Sequence, residues 1–261
     1  MTRVWRVEAG AATDVGQVRR LNEDGFFAGR RVFLVADGMG GHAAGDVASS
    51  LTLDVLSALD DELVTREGIR NAISRANEAV LAYAAAHPDT RGMGTTVAGV
   101  AMVADPPGHW VIFHVGDSRV YSLEGSELTQ LTIDHSEVAE LVGAGVITPE
   151  EAATHPARNV ITRAVGEWPP PDADMVLIPS RPGRRLMICS DGLTGEIEDE
   201  EIAAFLASPR PADEAATALV RAAVDHGGRD NVTVVVIDEA PGADEQPVVH
   251  TTVPRHQSGG R

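Results

Sequence analysis

The chain has 261 residues, 43% of them apolar, which is enough for one large domain with a sizeable core. Acidic residues outnumber basic ones 39 to 21, and the resulting charge of -18 excludes a broad electrostatic grip on nucleic acid or an anionic membrane. All 21 basic residues are arginine, so neither a P-loop lysine nor a Schiff-base lysine is available, and any phosphate site needs local cations to reverse the field.

Along the chain, Met1-Thr2-Arg3-Val4-Trp5-Arg6 lacks an apolar signal core, and no apolar run reaches the roughly 18 residues that span a bilayer. A soluble, cytoplasmic protein is expected. Val32–Ala36 is a short β-branched run that predicts a strand, and apolar positions three or four apart predict helices over Ala43–Leu59 and Glu67–Ala86. Strands follow at Thr95–Val103 and Trp110–Val115, then a hairpin around Glu124-Gly125. Beyond a helix at Ser136–Ala144 come a strand at Leu186–Ser190, helices at Glu200–Leu206 and Ala212–Asp225, and a strand at Val232–Ile237. The only cysteine, Cys189, sits in an apolar run and reads as a buried thiol rather than a nucleophile, and no intramolecular disulfide is possible. No repeat or linker divides the chain, and residues 241–261 form a polar tail expected to be disordered. The order fits no regular βαβ alternation and favours two sheets packed face to face with helices outside.

Apolar strands repeatedly meet an aspartate beside a small residue: Asp37-Gly38, Asp117-Ser118 and Asp191-Gly192 at strand ends, and Asp230-Asn231 just before the last strand. A single Asp-Gly is a turn signal. Four at the rims of strands about 4.8 Å apart pose a charge conflict that a divalent cation resolves, and hard oxygens suit Mg²⁺ or Mn²⁺. Gly38 to Ala43 also forms a Gly-x-Gly-x-x-Ala string with Asp60 and Asp61 about twenty residues on, so a dinucleotide-binding module is the alternative. Asp37 beside that string disfavours a pyrophosphate.

With these residues in view the chain resembles the bacterial type 2C, metal-dependent (PPM) serine/threonine protein phosphatases. The resemblance runs in order through Gly16 to Asp24, Asp37 to Gly45, Gly92-Met93-Gly94-Thr95-Thr96, Gly116-Asp117-Ser118-Arg119, Asp134-His135-Ser136, Cys189 to Leu193 and Gly228-Arg229-Asp230-Asn231. It implies an α+β fold, a four-layer αββα sandwich of two mainly antiparallel sheets, with a catalytic domain over residues 1–240. It also implies a two-ion Mg²⁺ or Mn²⁺ centre held by Asp37 as bridge, the Gly38 carbonyl, Asp191 and Asp230, with a weaker third ion at Asp117 and Asp191. Glu23 and Asp24 match an acidic pair behind the centre that contacts ligand waters, with Asn231 beside them. A water bridging the ions would attack phosphorus in line. Arg19 fits the phosphate-binding arginine, and His42 is the candidate general acid, ahead of His135.

Residues 134–165 carry the pattern of the bacterial members' mobile flap, with a helix-start signal at Thr148-Pro149-Glu150-Glu151. The partners implied are phosphorylated proteins, among them a Ser/Thr kinase and its targets, with neither nucleic acid nor membrane, and the protein is expected to be a monomer. Two other readings use the same residues: a catalytically silent phosphoprotein-binding regulator, and a phosphomonoesterase for small molecules.

Overall fold

The computed structural model describes residues 5–40, 44–241 and 248–249. In chain order the strands and helices are β1 (Trp5–Asp14), β2 (Asp24–Ala28), β3 (Val32–Met39), α1 (Gly45–Ser57), α2 (Arg66–Ala86), β4 (Gly94–Thr95), β5 (Val97–Val103) and β6 (His109–Val115). There follow β7 (Arg119–Glu124), β8 (Glu127–Gln130), α3 (Glu137–Gly143), α4 (Pro149–Ala153), β9 (Asp174–Pro179), β10 (Arg185–Cys189), α5 (Asp191–Thr194), α6 (Asp199–Ala207), α7 (Ala212–His226), β11 (Val232–Pro241) and β12 (Val248–Val249).

Alternation within each strand builds the layers, because successive side chains point to opposite faces. Phe33 and Val35 of β3 enter one cluster with Ala98 and Val100 of β5, Trp110 and Ile112 of β6, Leu186 and Ile188 of β10, and Val235 and Ile237 of β11. Val32 and Leu34, one residue out of phase, pack instead against Leu56 of α1 and Ile69, Ile73 and Val80 of α2. On the far side Met187 and Cys189 of β10 and Val234 and Val236 of β11 meet Ile202 of α6 and Leu219 of α7. Three apolar layers between four structural layers give the expected αββα sandwich. Strands buried on both faces explain the near-continuous apolar runs.

One sheet has the order β12-β1-β11-β10-β7-β8 and the other β2-β3-β5-β6-β9, with β4 paired to β3. The β3–β2 and β3–β5 pairings are both antiparallel, and α1 leads into α2 rather than into a parallel strand, so the described residues hold no βαβ unit of the kind the dinucleotide reading needs. Asp60, one of the two aspartates that reading counted, instead accepts the backbone N–H groups of Arg30, Arg31 and Val32.

Four strands, β1, β2, β9 and β12, lie outside the sequence expectation. β1 buries Val7, Ala9 and Ala11 on one face, but alanines alternate too weakly to announce a strand. β2 and β9 are only partly buried. The hairpin turn falls on Gly125-Ser126, since Glu124 pairs with Glu127, one residue beyond the expected centre. The helix-start signal holds: Thr148 and Glu151 form a reciprocal cap on α4. Of the expected tail, Val248 and Val249 pair in parallel with Glu8 and Ala9, while 242–247 and 250–261 lie outside the described residues.

Candidate metal centre

Five aspartates converge where the ends of both sheets meet. β3 runs three residues past its predicted end, carrying Asp37 into register with Asp24 of β2, and Gly38 into register with Thr95 of β4. The Thr95–Val103 strand is interrupted at Thr96 because side chains take over from the ladder there. Asp37 N–H donates to Thr96 Oγ1 (3.2 Å), while the Asp37 carbonyl accepts from Thr95 Oγ1 (2.8 Å) and Thr96 N–H (2.9 Å). Thr96 Oγ1 also shares a hydrogen bond with Ser118 Oγ (2.7 Å), beside Asp117. The bridge candidate is thus fixed through its main chain, and its carboxylate is left for a ligand.

Two glycines permit the approach of the remaining segments. A Cβ on Gly38 would lie 2.1 Å from Gly45 O, so only glycine lets β3 pass under the start of α1. A Cβ on Gly192 would lie 1.9 Å from Asn231 O, so the same absence lets α5 press Asp191 toward the Asp230-Asn231 corner. Asn231 then sews the corner together: Oδ1 accepts Glu23 N–H (2.8 Å), and Nδ2 donates to Val15 O and Leu21 O.

The electrostatics are those of a site built for cations. Burial first, and then the charges of Asp24, Asp191, Asp117 and Asp230, hold the Asp37 carboxyl well above the usual carboxylate range. Burial raises Asp24 to about 7 against the hydrogen bond from Ser190 Oγ (2.8 Å), with Asp191 and Asp230 adding to the rise. Asp117 is likewise pushed up to about 7 by burial, Asp191 and Asp134. Asp191 is raised by burial and Asp230. One oxygen each of Asp24 and Asp117 is buried with no hydrogen-bond partner. Clustered, desolvated carboxylates with orphaned oxygens fit hard divalent cations such as Mg²⁺ or Mn²⁺.

The other sequence candidates fall as follows. Arg19 is half-exposed and donates from Nη2 to Asp230 Oδ2 (2.6 Å), which raises its pKa further. Glu23 sits behind the cluster, but its Oε1 accepts Gly45 N–H (3.1 Å) at the start of α1, an anchoring that the sequence does not announce. His42 lies outside the described residues. His135 is buried, with its backbone N–H on Gly116 O (3.0 Å) and its Nδ1 accepting Gly116 N–H (3.1 Å).

Among the described residues, the group whose ligand-type atoms all lie within 4.8 Å of one another is His135, His114 and Asp174, outside the aspartate cluster. Gly116 N–H reaches Nδ1 and Arg163 reaches Nε2, and neutral His135 can accept at only one of them; Nε2 also lies 3.4 Å from Asp174 Oδ2. Arg163 Nη1 already brings positive charge there, 3.1 Å from both that nitrogen and Asp174 Oδ1. The trio therefore suits a hydrogen-bonded brace rather than an ion. The buried Cys189 thiol is pushed up to about 12, mainly by desolvation, in keeping with an inert core residue.

Residues 18–227 match the protein phosphatase 2C family. The serine/threonine protein phosphatase PstP of Mycobacterium tuberculosis is 43% identical over 243 residues, 91% of this chain, but the chain spans only 46% of that relative's length. The serine/threonine phosphatase stp of Listeria monocytogenes is 39% identical over 238 residues, covering 87% of this chain and 93% of its own. The solved catalytic domain of PstP, in complex with two manganese ions, superposes with a TM-score of 0.83 at 39% identity, covering 91% of this chain and all of that one.

Proposed function

This chain belongs to the protein phosphatase 2C family, and we propose that it hydrolyses phosphoserine and phosphothreonine in proteins with Mg²⁺ or Mn²⁺ held by its aspartate cluster. The observation that carries this reading is the clustered, desolvated set Asp24, Asp37, Asp117 and Asp191 beside Asp230, whose mutual repulsion a divalent cation relieves. Asp37, the Gly38 carbonyl, Asp191 and Asp230 would hold two core ions, and Asp117 with Asp191 a weaker third. When bound, the ions lower the pKa of water and offset charge on phosphoryl oxygens.

The chain's own groups supply the rest. Arg19, at the cleft surface, would exchange its contact with Asp230 for two oxygens of the substrate phosphate, as a guanidinium fork is suited to do. Asp24 and Glu23 orient the cluster from behind, and Asn231 holds the Arg19 loop against Asp230. The leaving alkoxide needs a proton, and His42 is the donor we assign. The natural substrates in this reading are targets of a Ser/Thr kinase in the cytoplasm, met by a monomeric phosphatase; no described helix is long and apolar enough to cross a membrane. A silent regulator has no chemical need for every one of these carboxylates, and all are present.

Phosphate release from a phosphothreonine peptide, with Mn²⁺ and with chelator, tests the reading. Wild type should turn over only with metal, and Asp191→Asn should lose at least about a hundredfold in kcat/KM, the scale on which losing transition-state charge stabilisation acts. Metal-independent release, or full activity in Asp191→Asn, contradicts it.

A further inference from the structure

Trp168 is 82% exposed, the most exposed large hydrophobic side chain among the described residues, whereas Trp110 is fully buried. Its surroundings give that exposure a use. Asn77, fully buried in α2, accepts Gly166 N–H (2.6 Å) and Glu167 N–H (3.2 Å) at Oδ1 and donates from Nδ2 to Glu167 O (3.2 Å), so the residues before Trp168 are clamped. Pro169-Pro170-Pro171 follow, each with φ fixed by its ring. An aromatic presented to solvent from a held backbone gives up only its own two side-chain torsions on binding, which suits an anchor for a partner.

The position is tied to the metal centre. Val165, three residues earlier, exchanges two backbone hydrogen bonds with Thr95 (2.9 Å each), and Thr95 Oγ1 holds the Asp37 carbonyl. Three residues of chain and two pairing steps put Trp168 within about 20 Å of Asp37. An extended peptide covers that distance in about six residues.

The flanking charge selects the occupant. Glu167 and Asp172 are exposed, and neither carboxylate has a hydrogen bond or ion pair among the described residues, while the nearby Arg163 is engaged with Asp174. An exposed indole flanked along the chain by two free carboxylates attracts a guanidinium or ammonium, through its quadrupole and through their charge.

We propose that Trp168, Glu167 and Asp172 form a docking subsite for an Arg or Lys side chain of the phosphoprotein, within about six residues of the phosphorylated one. This rests on the phosphatase reading and adds a substrate preference to it.

The experiment compares phosphothreonine peptides that differ only by Arg or Ala at each position up to six residues on either side, with Mn²⁺ present. Wild type should favour one Arg position by about tenfold in kcat/KM. Trp168→Ala should erase that ratio, Trp168→Phe should keep part of it, and Glu167→Gln with Asp172→Asn should reduce it and weaken its dependence on salt. An Arg/Ala ratio near one at every position, or a ratio that Trp168→Ala leaves intact, overturns the subsite while the phosphatase reading stands. Wild type that releases phosphate from none of the peptides sinks both.

Discussion

At the scale of single residues, Asp37 presents the sharpest physical conflict. A carboxyl whose folded pKa is raised keeps its proton in the folded state at pH values where the unfolded chain has lost it. The folded state therefore binds more protons between the unfolded value, about 4, and the folded value, about 7 for Asp24 and Asp117. Metal-free stability falls as pH rises through that window, and the penalty is complete above it. Asparagine cannot ionise, so metal-free Asp37→Asn should melt above wild type at pH 8, with the difference closing toward pH 4. Added Mn²⁺ should raise the wild-type melting temperature more at pH 8 than at pH 5. Thermal melts with chelator and with Mn²⁺ check both; a wild type whose metal-free melting temperature rises from pH 5 to pH 8 relative to Asp37→Asn contradicts the account.

At the scale of elements, close approach does what side chains cannot. Gly192→Ala forces a Cβ into the Asn231 carbonyl, and backbone there cannot give way as a flexible side chain would. It should destabilise the protein by about 3 kcal/mol or more in urea unfolding, beyond the ordinary range for one substitution. Gly143→Ala, with open space around it at the end of α3, should stay within about 1 kcal/mol of wild type. The flap region is fastened at its root, where Ser136 bridges Ile161 and Thr95 bridges Val165, whereas α3 and α4 bury no residue. Replacing 143–158 by a short linker should lower turnover of a phosphoprotein more than turnover of a small aryl phosphate, and equal loss on both speaks against a role in substrate access. The helices and the strongly apolar strands were legible because their periods are strong. β1 was not, because Val7, Ala9 and Ala11 offer little contrast, and the break at Thr96 was not, because hydroxyl-to-backbone bonds leave no periodic trace.

At the scale of the whole molecule, two sheets must stack before Asp24 and Asp37 from one can meet Asp191 and Asp230 at strand ends of the other and Asp117 in the turn that joins the two. The sequence pattern announces Asp37, Asp117, Asp191 and Asp230 as a set at the ends of apolar strands, whereas Asp24 enters only through the family resemblance. It did not announce the hydroxyl network of Thr95, Thr96 and Ser118, or Glu23 at the head of α1, because those contacts exist only between segments distant in the chain. The charge of -18 has the same logic: an acidic surface is tolerable around a phosphate site only if cations sit at its centre. The most direct measurement is calorimetric titration of the metal-free protein with Mn²⁺ at pH 8. The account predicts uptake of at least two equivalents by wild type and loss of that uptake in Asp37→Asn. No uptake by wild type, or an isotherm that Asp37→Asn leaves unchanged, contradicts it.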